Sequence, residues 1–395
     1  MKKLVLAYSG GLDTSYCLTT LSQEGYEVHA VSVNTGGFTP NEISQQEEKA
    51  YAMGASTYRS IDALQSFYDK IVKYLIFGNV LKNNTYPLSV SAERIVQAIE
   101  IIEYAKSIDA QYIAHGSTGA GNDQVRFDLI FQVLAPSIEI ITPIRDQQLS
   151  REAEIDYLKS QGIDLSWEKA QYSINQGLWG TSVGGSETLT SHLSLPEKAY
   201  PSQLIQQEPT KISLSFQAGE LVALNGEKGD SIQLIQSLQE LAKDYAIGRD
   251  THVGDTIIGI KGRVGFEAAA PMIIIKAHHL LEKHTQSKWQ QFQKEQMASF
   301  YGMQLHEGNY LDAVMRDIEA FFESSQQSVN GEVFVTLYPY RFELEGVDSP
   351  NDLMNASFGS YGEMNKAWTA EDAKGFIKIS ANAHKIYGTV NQNNQ

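Results

Sequence analysis

The 395-residue sequence contains a single cysteine, Cys17. An intrachain disulfide framework is therefore excluded, and this usage fits a reducing cytoplasm. No apolar run approaches the ~20 residues that a membrane-spanning helix needs, so no membrane partner is expected. Lys2-Lys3 leads into a short apolar run without the long hydrophobic stretch and small-residue cleavage site of a signal peptide, and none is expected. Positive charge is scarce: 31 Lys and Arg face 47 Asp and Glu, a net charge of −16. A general nucleic-acid binder would show a basic surface, so no nucleic-acid partner is expected either. The apolar content of 42% is ordinary for a globular protein. The length is large for one core and favours two domains. There is no internal repeat.

What is present begins at residue 4. The run Leu4-Val5-Leu6-Ala7-Tyr8 has strand length and ends in Ser9-Gly10-Gly11-Leu12-Asp13-Thr14-Ser15. A strand, a tight glycine turn and a helix N-terminus follow one another, and such a turn collects free N–H groups and the positive end of a helix dipole. Gly10 and Gly11 allow close approach of an anion. Ser9, Thr14 and Ser15 add hydroxyl donors. No Lys follows the last glycine, which excludes a Walker loop, and a Gly-x-Gly-x-x-Gly dinucleotide turn does not match.

The first 150 or so residues alternate between strand and helix. Strands are predicted at Leu4–Tyr8, Val28–Val33, Ser56–Ile61, Gln111–Ala114 and Ile138–Thr142. Helices are predicted after the first glycine turn and at Glu42–Met53, Ala63–Phe77 and Ser91–Ser107. This succession predicts an α/β fold with a parallel sheet covered on both faces, and ligands beyond the carboxyl ends of the strands. From about 165 the pattern changes to that of an α+β domain. Segment 172–210 is rich in Gly, Ser, Thr and Pro. Strands are predicted at 211–224, with a hairpin at Asn225-Gly226, and again at 331–345 and 374–380. Long helices are predicted at 231–246, 271–300 and 309–327. The polar tail 391–395 is expected to fray. The expected division is 1–165, 166–360 and a C-terminal arm 361–395.

A second dense cluster runs from Ala114 to Asp128 and contains Gly116-Ser117-Thr118-Gly119-Ala120-Gly121-Asn122-Asp123-Gln124-Val125-Arg126. A glycine-rich loop here leaves a strand and enters a helix carrying Asn, Asp and Arg. That mix suits a zwitterion: Arg126 can clamp a carboxylate, Asp123 can take an ammonium, and Asn122 can bridge. Following strands, this loop and Ser9–Ser15 are expected at one rim.

The order Ser-Gly-Gly-x-Asp-Thr-Ser resembles the pyrophosphate loop of the ATP pyrophosphatases. Taken with Tyr86-Pro87-Leu88 and Ser91, the cluster at 114–128, Tyr172-Ser173 and Leu178-Trp179-Gly180, the whole chain resembles the argininosuccinate synthase family. The resemblance implies an adenine nucleotide alpha hydrolase-like first domain and a synthetase and multimerisation domain ending in an oligomerisation segment. It also implies a homotetramer in the cytoplasm. The implied reaction is adenylation of the ureido oxygen of citrulline by ATP, with loss of pyrophosphate. The aspartate amine then attacks, and AMP leaves. Mg²⁺ is implied alongside ATP. Carried over by residue, Ala7, Tyr8, Ser9, Gly10, Gly11, Leu12, Asp13, Thr14 and Ser15 hold the nucleotide with Val33, Asn34 and Gly116. Thr118, Asn122 and Asp123 hold aspartate. Tyr86, Ser91, Asn122, Arg126, Ser173 and Ser182 hold citrulline. Asp13 and Asp123 are the implied catalytic acids.

The sequence departs from the family pattern in three places. Ala120 stands where the glycine loop carries Lys. Gly254 and Phe266 stand where a Glu and a Tyr meet citrulline. Either the adjacent Asp255 substitutes for that Glu, or the substrate lacks an ammonium there, as in an N-acylated citrulline. A buried ammonium without a partner is costly. The histidines at 278, 279, 284, 252 and 306 lack zinc-helix spacing. Cys17 reads as a buried small hydrophobe, unlike the reactive cysteines of transfer-RNA-thiolating relatives. Trp289 and Phe292 read as core or interface. Two rival readings are an ammonia-dependent synthetase using the same adenylation, and a non-catalytic nucleotide sensor. The first lacks a candidate cysteine for glutamine hydrolysis. The second does not need the amino-acid clamp at 118–126.

Overall fold

The structure is a computed structural model and describes residues 2–163, 172–355, 361–363 and 367–392. The first half runs β1 (Lys2–Ala7), α1 (Leu12–Gln23), β2 (Tyr26–Asn34), α2 (Pro40–Ala52), β3 (Thr57–Asp62), α3 (Leu64–Phe67) and α4 (Lys73–Phe77). It continues with α5 (Ser89–Ser107), β4 (Tyr112–Ala114), α6 (Asp123–Leu134), β5 (Glu139–Ile141), α7 (Pro143–Gln147) and α8 (Arg151–Ser160). The five strands are parallel, in the order β3-β2-β1-β4-β5. Alternation along β1 sends Leu4 and Leu6 to one face, with Cys17, Val28 and Ala114. Val5 goes to the other, with Val31 and Ile113. Helix α1, with α8 packed on it, covers the first face and α5 the second. Strand order reverses between β1 and β4, and the crevice outside such a switch point is where α/β sheets bind ligands.

The local signals explain most boundaries. Helix α2 opens on a capping box: Glu42 accepts from the Thr39 N–H at 2.8 Å, and Pro40 supplies a ready helical φ. The helix predicted over Ala63–Phe77 is interrupted by a π-helical turn at Tyr68–Val72.

The second half holds β6 (Ser173–Gly177), β7 (Gly180–Gly184), β8 (Thr210–Gln217), β9 (Glu220–Leu224), β10 (Glu227–Lys228) and α9 (Ser231–Lys243). Then come β11 (Arg249–Asp255), β12 (Lys261–Glu267), α10 (Ala269–Thr285), α11 (Lys288–Glu307), α12 (Ala313–Ser325), β13 (Gly331–Tyr338), β14 (Arg341–Asp348), α13 (Ala370–Ser380) and α14 (Asn382–Gln392). They form two antiparallel sheets, β10-β9-β8-β13-β14 and β11-β12-β7-β6. Asn225 and Gly226, both at positive φ, turn β9 into β10. The single helix expected at 271–300 is two, because Ser287 and Gln290 form a capping box that restarts the chain.

The strand expected at 374–380 is instead helix α13. Thr369 caps its N-terminus, and Asp372 accepts back from the Thr369 N–H at 2.9 Å. Ile377 and Ile379 alternate as in a strand, yet among the described residues this segment pairs with no strand. The β6–β7 and β11–β12 hairpins had no clear period in the sequence, since their sheet is polar and glycine-rich.

One apolar core joins the halves: Val31 and Ile95 belong to the same cluster as Trp179, Leu214, Ile274 and Phe322. The expected boundary near 165 and the tail residues 393–395 lie outside the described residues. Helices α13 and α14 bury none of their residues, and Phe376, Ile377, Ile379, Ile386 and Tyr387 are exposed.

Candidate active site

The turn after β1 and the turn after β4 open into one cleft of about 890 Å³. Its floor is the carboxyl edge of the parallel sheet, and Ser173–Gln176 of β6 closes one side.

Gly10 takes φ +75°, which only glycine adopts without strain, and so turns the chain from β1 into α1. Gly11 is the N-cap of α1 and offers no side-chain cap, so the first-turn N–H groups stay open. The hydroxyls of Ser9 and Thr14 touch each other at 3.3 Å, and the Gly11 N–H reaches Ser9 Oγ at 3.4 Å. These contacts are long and solvent-facing, so an incoming anion can replace them. Gly116 lies against Asp13, and a Cβ there would sit 3.1 Å from two Asp13 atoms. The lack of a side chain at 116 is therefore what lets the two turns approach. Beneath the loop, Ser15 Oγ and the Tyr8 hydroxyl are buried without hydrogen-bond partners. Buried Glu154 lies behind Asp13. Burial, and then the charge of Asp13, push its carboxyl up to about 8.

On the other side of the cleft, the Asp123 carboxylate is gripped by two guanidiniums. Arg94 Nε donates to Oδ2 at 3.0 Å and Arg126 Nη1 to Oδ1 at 2.8 Å. Packing works against this charge, but the two arginines more than compensate and bring Asp123 down to about 2. Arg126 is buried, and its Nε also donates to the His306 carbonyl at 2.9 Å. Its fork is thus half committed inside the protein. Asn122 Oδ1 accepts from the Ile257 N–H at 2.9 Å and ties the start of α6 to the β11–β12 turn. Gln124 donates to the carbonyls of Gly119 and Gly121, so it shapes the glycine loop. His115 accepts from the Ser117 N–H on Nδ1, so Nε2 carries the hydrogen and donates to Asp128 at 2.7 Å. Arg145 packs under Gly119 but is paired to Asp128 at 2.7 Å, so it leaves the loop without the free cation that Ala120 fails to supply.

The expected residues divide. Ala7, Tyr8, Ser9, Gly11, Leu12, Asp13, Thr14, Val33, Gly116, Thr118, Asn122, Asp123, Arg126 and Ser173 line the cleft. Asn34 does not. Its amide caps the Gly36 and Phe38 N–H groups and holds the loop after β2. Tyr86, Ser91 and Ser182 also stand behind the wall. The Tyr86 ring is stacked on His252 at 5.2 Å and packed on Phe266 at 5.4 Å. Ser91 donates to the Leu88 carbonyl, and Ser182 pairs in register with Phe266. Leu88 itself adopts a left-handed conformation at φ +63°, fixed where Trp179 Nε1 donates to the Pro87 carbonyl at 3.0 Å.

Asp255 is a correction. Strand alternation puts Gly254 inward and Asp255 outward, where its exposed carboxylate pairs with Lys261 at 2.7 Å. It does not stand in for a carboxylate at 254. That space is instead filled by His252, whose Nε2 would lie 2.7 Å from a Cβ at Gly254. Trp289 and Phe292 are not core: both are exposed, ring edge to ring face at 6.1 Å. Cys17 is buried, and burial pushes its thiol up.

The sequence reading passed over Glu93 and Arg94, which line the cleft from α5. A signal was available, for Glu93-Arg94 interrupts a helix that is otherwise apolar on its inner face at Ala92, Ile95, Val96 and Ala98.

A family model described as arginosuccinate synthase N-terminal HUP domain matches residues 3–164, and one described as arginosuccinate synthase C-terminal domain matches residues 172–387. The chain is 36% identical to the argininosuccinate synthase of Methanocaldococcus jannaschii over 387 residues, covering 97% of each. It is 35% identical to that of Xanthomonas campestris over 403 residues, covering 99% of each. With that of Pyrococcus furiosus it shares 37% over 382 residues, covering 95% of this chain and 92% of the relative.

Proposed function

The chain belongs to the argininosuccinate synthase family, and on that premise we propose that it ligates citrulline to aspartate with ATP, releasing AMP and pyrophosphate. The observation that carries this reading is the single cleft shared by the uncapped start of α1 and the Asn-Asp-Arg start of α6.

A ureido carbon is a poor electrophile, and adenylation of its oxygen supplies a leaving group. The protein then has to position three substrates and stabilise developing charge, with no covalent enzyme intermediate. In our reading the N–H groups at Gly11–Thr14, with Ser9 and Thr14, hold the departing pyrophosphate. Val33 and Gly116 lie along the adenosine. Thr118, Asn122 and Asp123 receive aspartate, and Asn122, Arg126 and Ser173 receive citrulline. Tyr86, Ser91 and Ser182 shape the wall from behind. Asp123, locked between Arg94 and Arg126, acts as a fixed charge and not as a proton carrier.

Mg²⁺ is proposed to arrive with ATP. Among the described residues no cluster of three or more His, Cys, Asp or Glu can hold a metal. Such a site suits an ion that keeps phosphate oxygens and water as ligands, with Asp13 supplying a carboxylate. We further propose a homotetramer whose C-terminal arm covers its apolar side chains on a neighbouring copy, and a cytoplasmic location, which the single buried cysteine favours.

Incubation with ATP, Mg²⁺, aspartate and either citrulline or an N-acylcitrulline tests the reading by mass analysis of products. Argininosuccinate, AMP and pyrophosphate from free citrulline are expected. ADP with orthophosphate would overturn it.

A further inference from the structure

Helix α5 sends one acid into the cleft, Glu93, 2% exposed. Its Oε1 is buried without a hydrogen-bond partner. The end of β6 is built around it: a Cβ at Gly177 would overlap Glu93 Oε1, so the carboxyl fills the space that any larger residue would take. Two charges face it, Arg94 on its own helix and Asp123 on α6. From the loop after β2 it meets Thr35, and from β6 Gly177. Burial pushes its carboxyl up to about 8, while Arg94 and Thr35 pull the other way.

Most other groups of the cleft that could move a proton are engaged, and the unpartnered Tyr8 hydroxyl lies beneath the phosphate loop. Asp123 is held as a carboxylate by two arginines. Both ring nitrogens of His115 are bonded. Glu42 caps α2. Asp13 sits at the phosphate end, in the first turn of α1. Glu93 combines a cleft-lining carboxyl, one oxygen of which has no hydrogen-bond partner, with a place beside Asp123.

The chemistry needs such a group. Aspartate arrives as an ammonium, whose nitrogen has no lone pair to offer. We propose that Glu93 is the proton acceptor that readies the aspartate nitrogen for attack on the citrullyl-adenylate, an inference that rests on the function proposed above. One N–H bond breaks and its proton passes to the Glu93 carboxylate. The freed pair forms the C–N bond. The bond from that carbon to the bridging oxygen then breaks, and its electrons leave with AMP. The attached nitrogen gives up a second proton to water as the guanidinium forms, and Glu93 later returns its own proton to water.

The test separates the two half-reactions in the full-length enzyme. Citrulline-dependent exchange of labelled pyrophosphate into ATP reads the first, and single-turnover formation of argininosuccinate after adding aspartate reads the second. In Glu93→Gln the first is expected to stay within about twofold. The second is expected to fall by about 10²-fold or more, the usual contribution of a positioned base, and to lose the rise in rate with pH expected of the wild type around pH 8. A second step that keeps its rate and its pH profile in Glu93→Gln overturns the proposal. If that variant does not fold, Glu93→Asp decides: the pH profile persists with a slower second step, and an unchanged rate refutes the role. Absence of pyrophosphate exchange in the wild-type enzyme would instead refute the proposed function.

Discussion

Replacing Lys294 with Met should cost this protein a large part of its stability. Lys294 lies on α11, is 2% exposed, and donates to the Phe77 carbonyl at the end of α4 at 2.6 Å and to Glu282 on α10. One ammonium thus ties three helices, one of them from the first half of the chain. Glu282, fully buried, also accepts from Asn79, from Gln286 at 3.2 Å and from Gln326 at 2.9 Å. Burial acts against both charges, but the lysine and the amide donors hold the Glu282 carboxyl below its usual range. Met fills the space of the lysine stem but removes the charge and its hydrogen bonds to Glu282 and the Phe77 carbonyl. Glu282 is then left ionised without a counter-ion, or must take up a proton, and breaking a buried pair from one side costs about 3–5 kcal/mol. Glu282→Gln in the same background removes the orphaned charge and should restore at least about half of that loss. Urea unfolding followed by tryptophan fluorescence, run as a double-mutant cycle, measures both numbers. A single-variant cost under about 1 kcal/mol, or a double variant no more stable than Lys294→Met, would show that the pair does not carry the helix junction.

The remaining expectations concern the cleft and the surface. Gly116→Ala places a methyl 3.1 Å from Asp13, so the phosphate loop must give by a few tenths of an ångström. Since a misplacement of about 1 Å can cost 10²-fold, a fall in kcat of about tenfold with little change in melting is expected, and wild-type kcat would refute the tight approach. Arg126→Lys cannot bond both Asp123 and the His306 carbonyl. Loss of one charge-assisted bond, about 1.5–3 kcal/mol, should lower kcat/KM about 10- to 100-fold, and steady-state assays would expose an unchanged value. His252 and His306 are held neutral, their pKa values lowered chiefly by burial to about 4 and about 3. Their contribution to stability is therefore complete above pH 6.5 and is lost as pH falls towards 4. Denaturation midpoints of His252→Asn should flatten over that window, and an unaltered pH profile would argue against a neutral buried ring. Changing exposed Phe376 and Ile377 on α13 to Glu should leave the fold intact and reduce the oligomer on analytical ultracentrifugation. A size equal to wild type would refute the proposed arm.

Much of this protein was written locally in its sequence. The apolar run at 4–8, the Gly10 turn and an uncapped helix start were readable because each depends on neighbours within a few residues. So was the parallel sheet, because strand and helix periods alternate cleanly through residue 142. The caps at Thr39 and Ser287 could have been read in the same way. What tertiary structure alone decided were the partners of charges and the faces of polar strands. Asp123 and Arg126 read as free recognition groups. Arg94, 29 residues earlier in the chain, turned the pair into a fixed ionic triad. Asp255 read as a substitute carboxylate until the register of β11 on β12 turned it outward. Glu93 drew no notice, because a lone acid on an apolar helix acquires meaning only when a glycine 84 positions away leaves room for its oxygen. Periodicity fixes elements because it is local. Charge, acidity and access are set by contacts between residues far apart in the chain, and those exist only after the two halves close on one core.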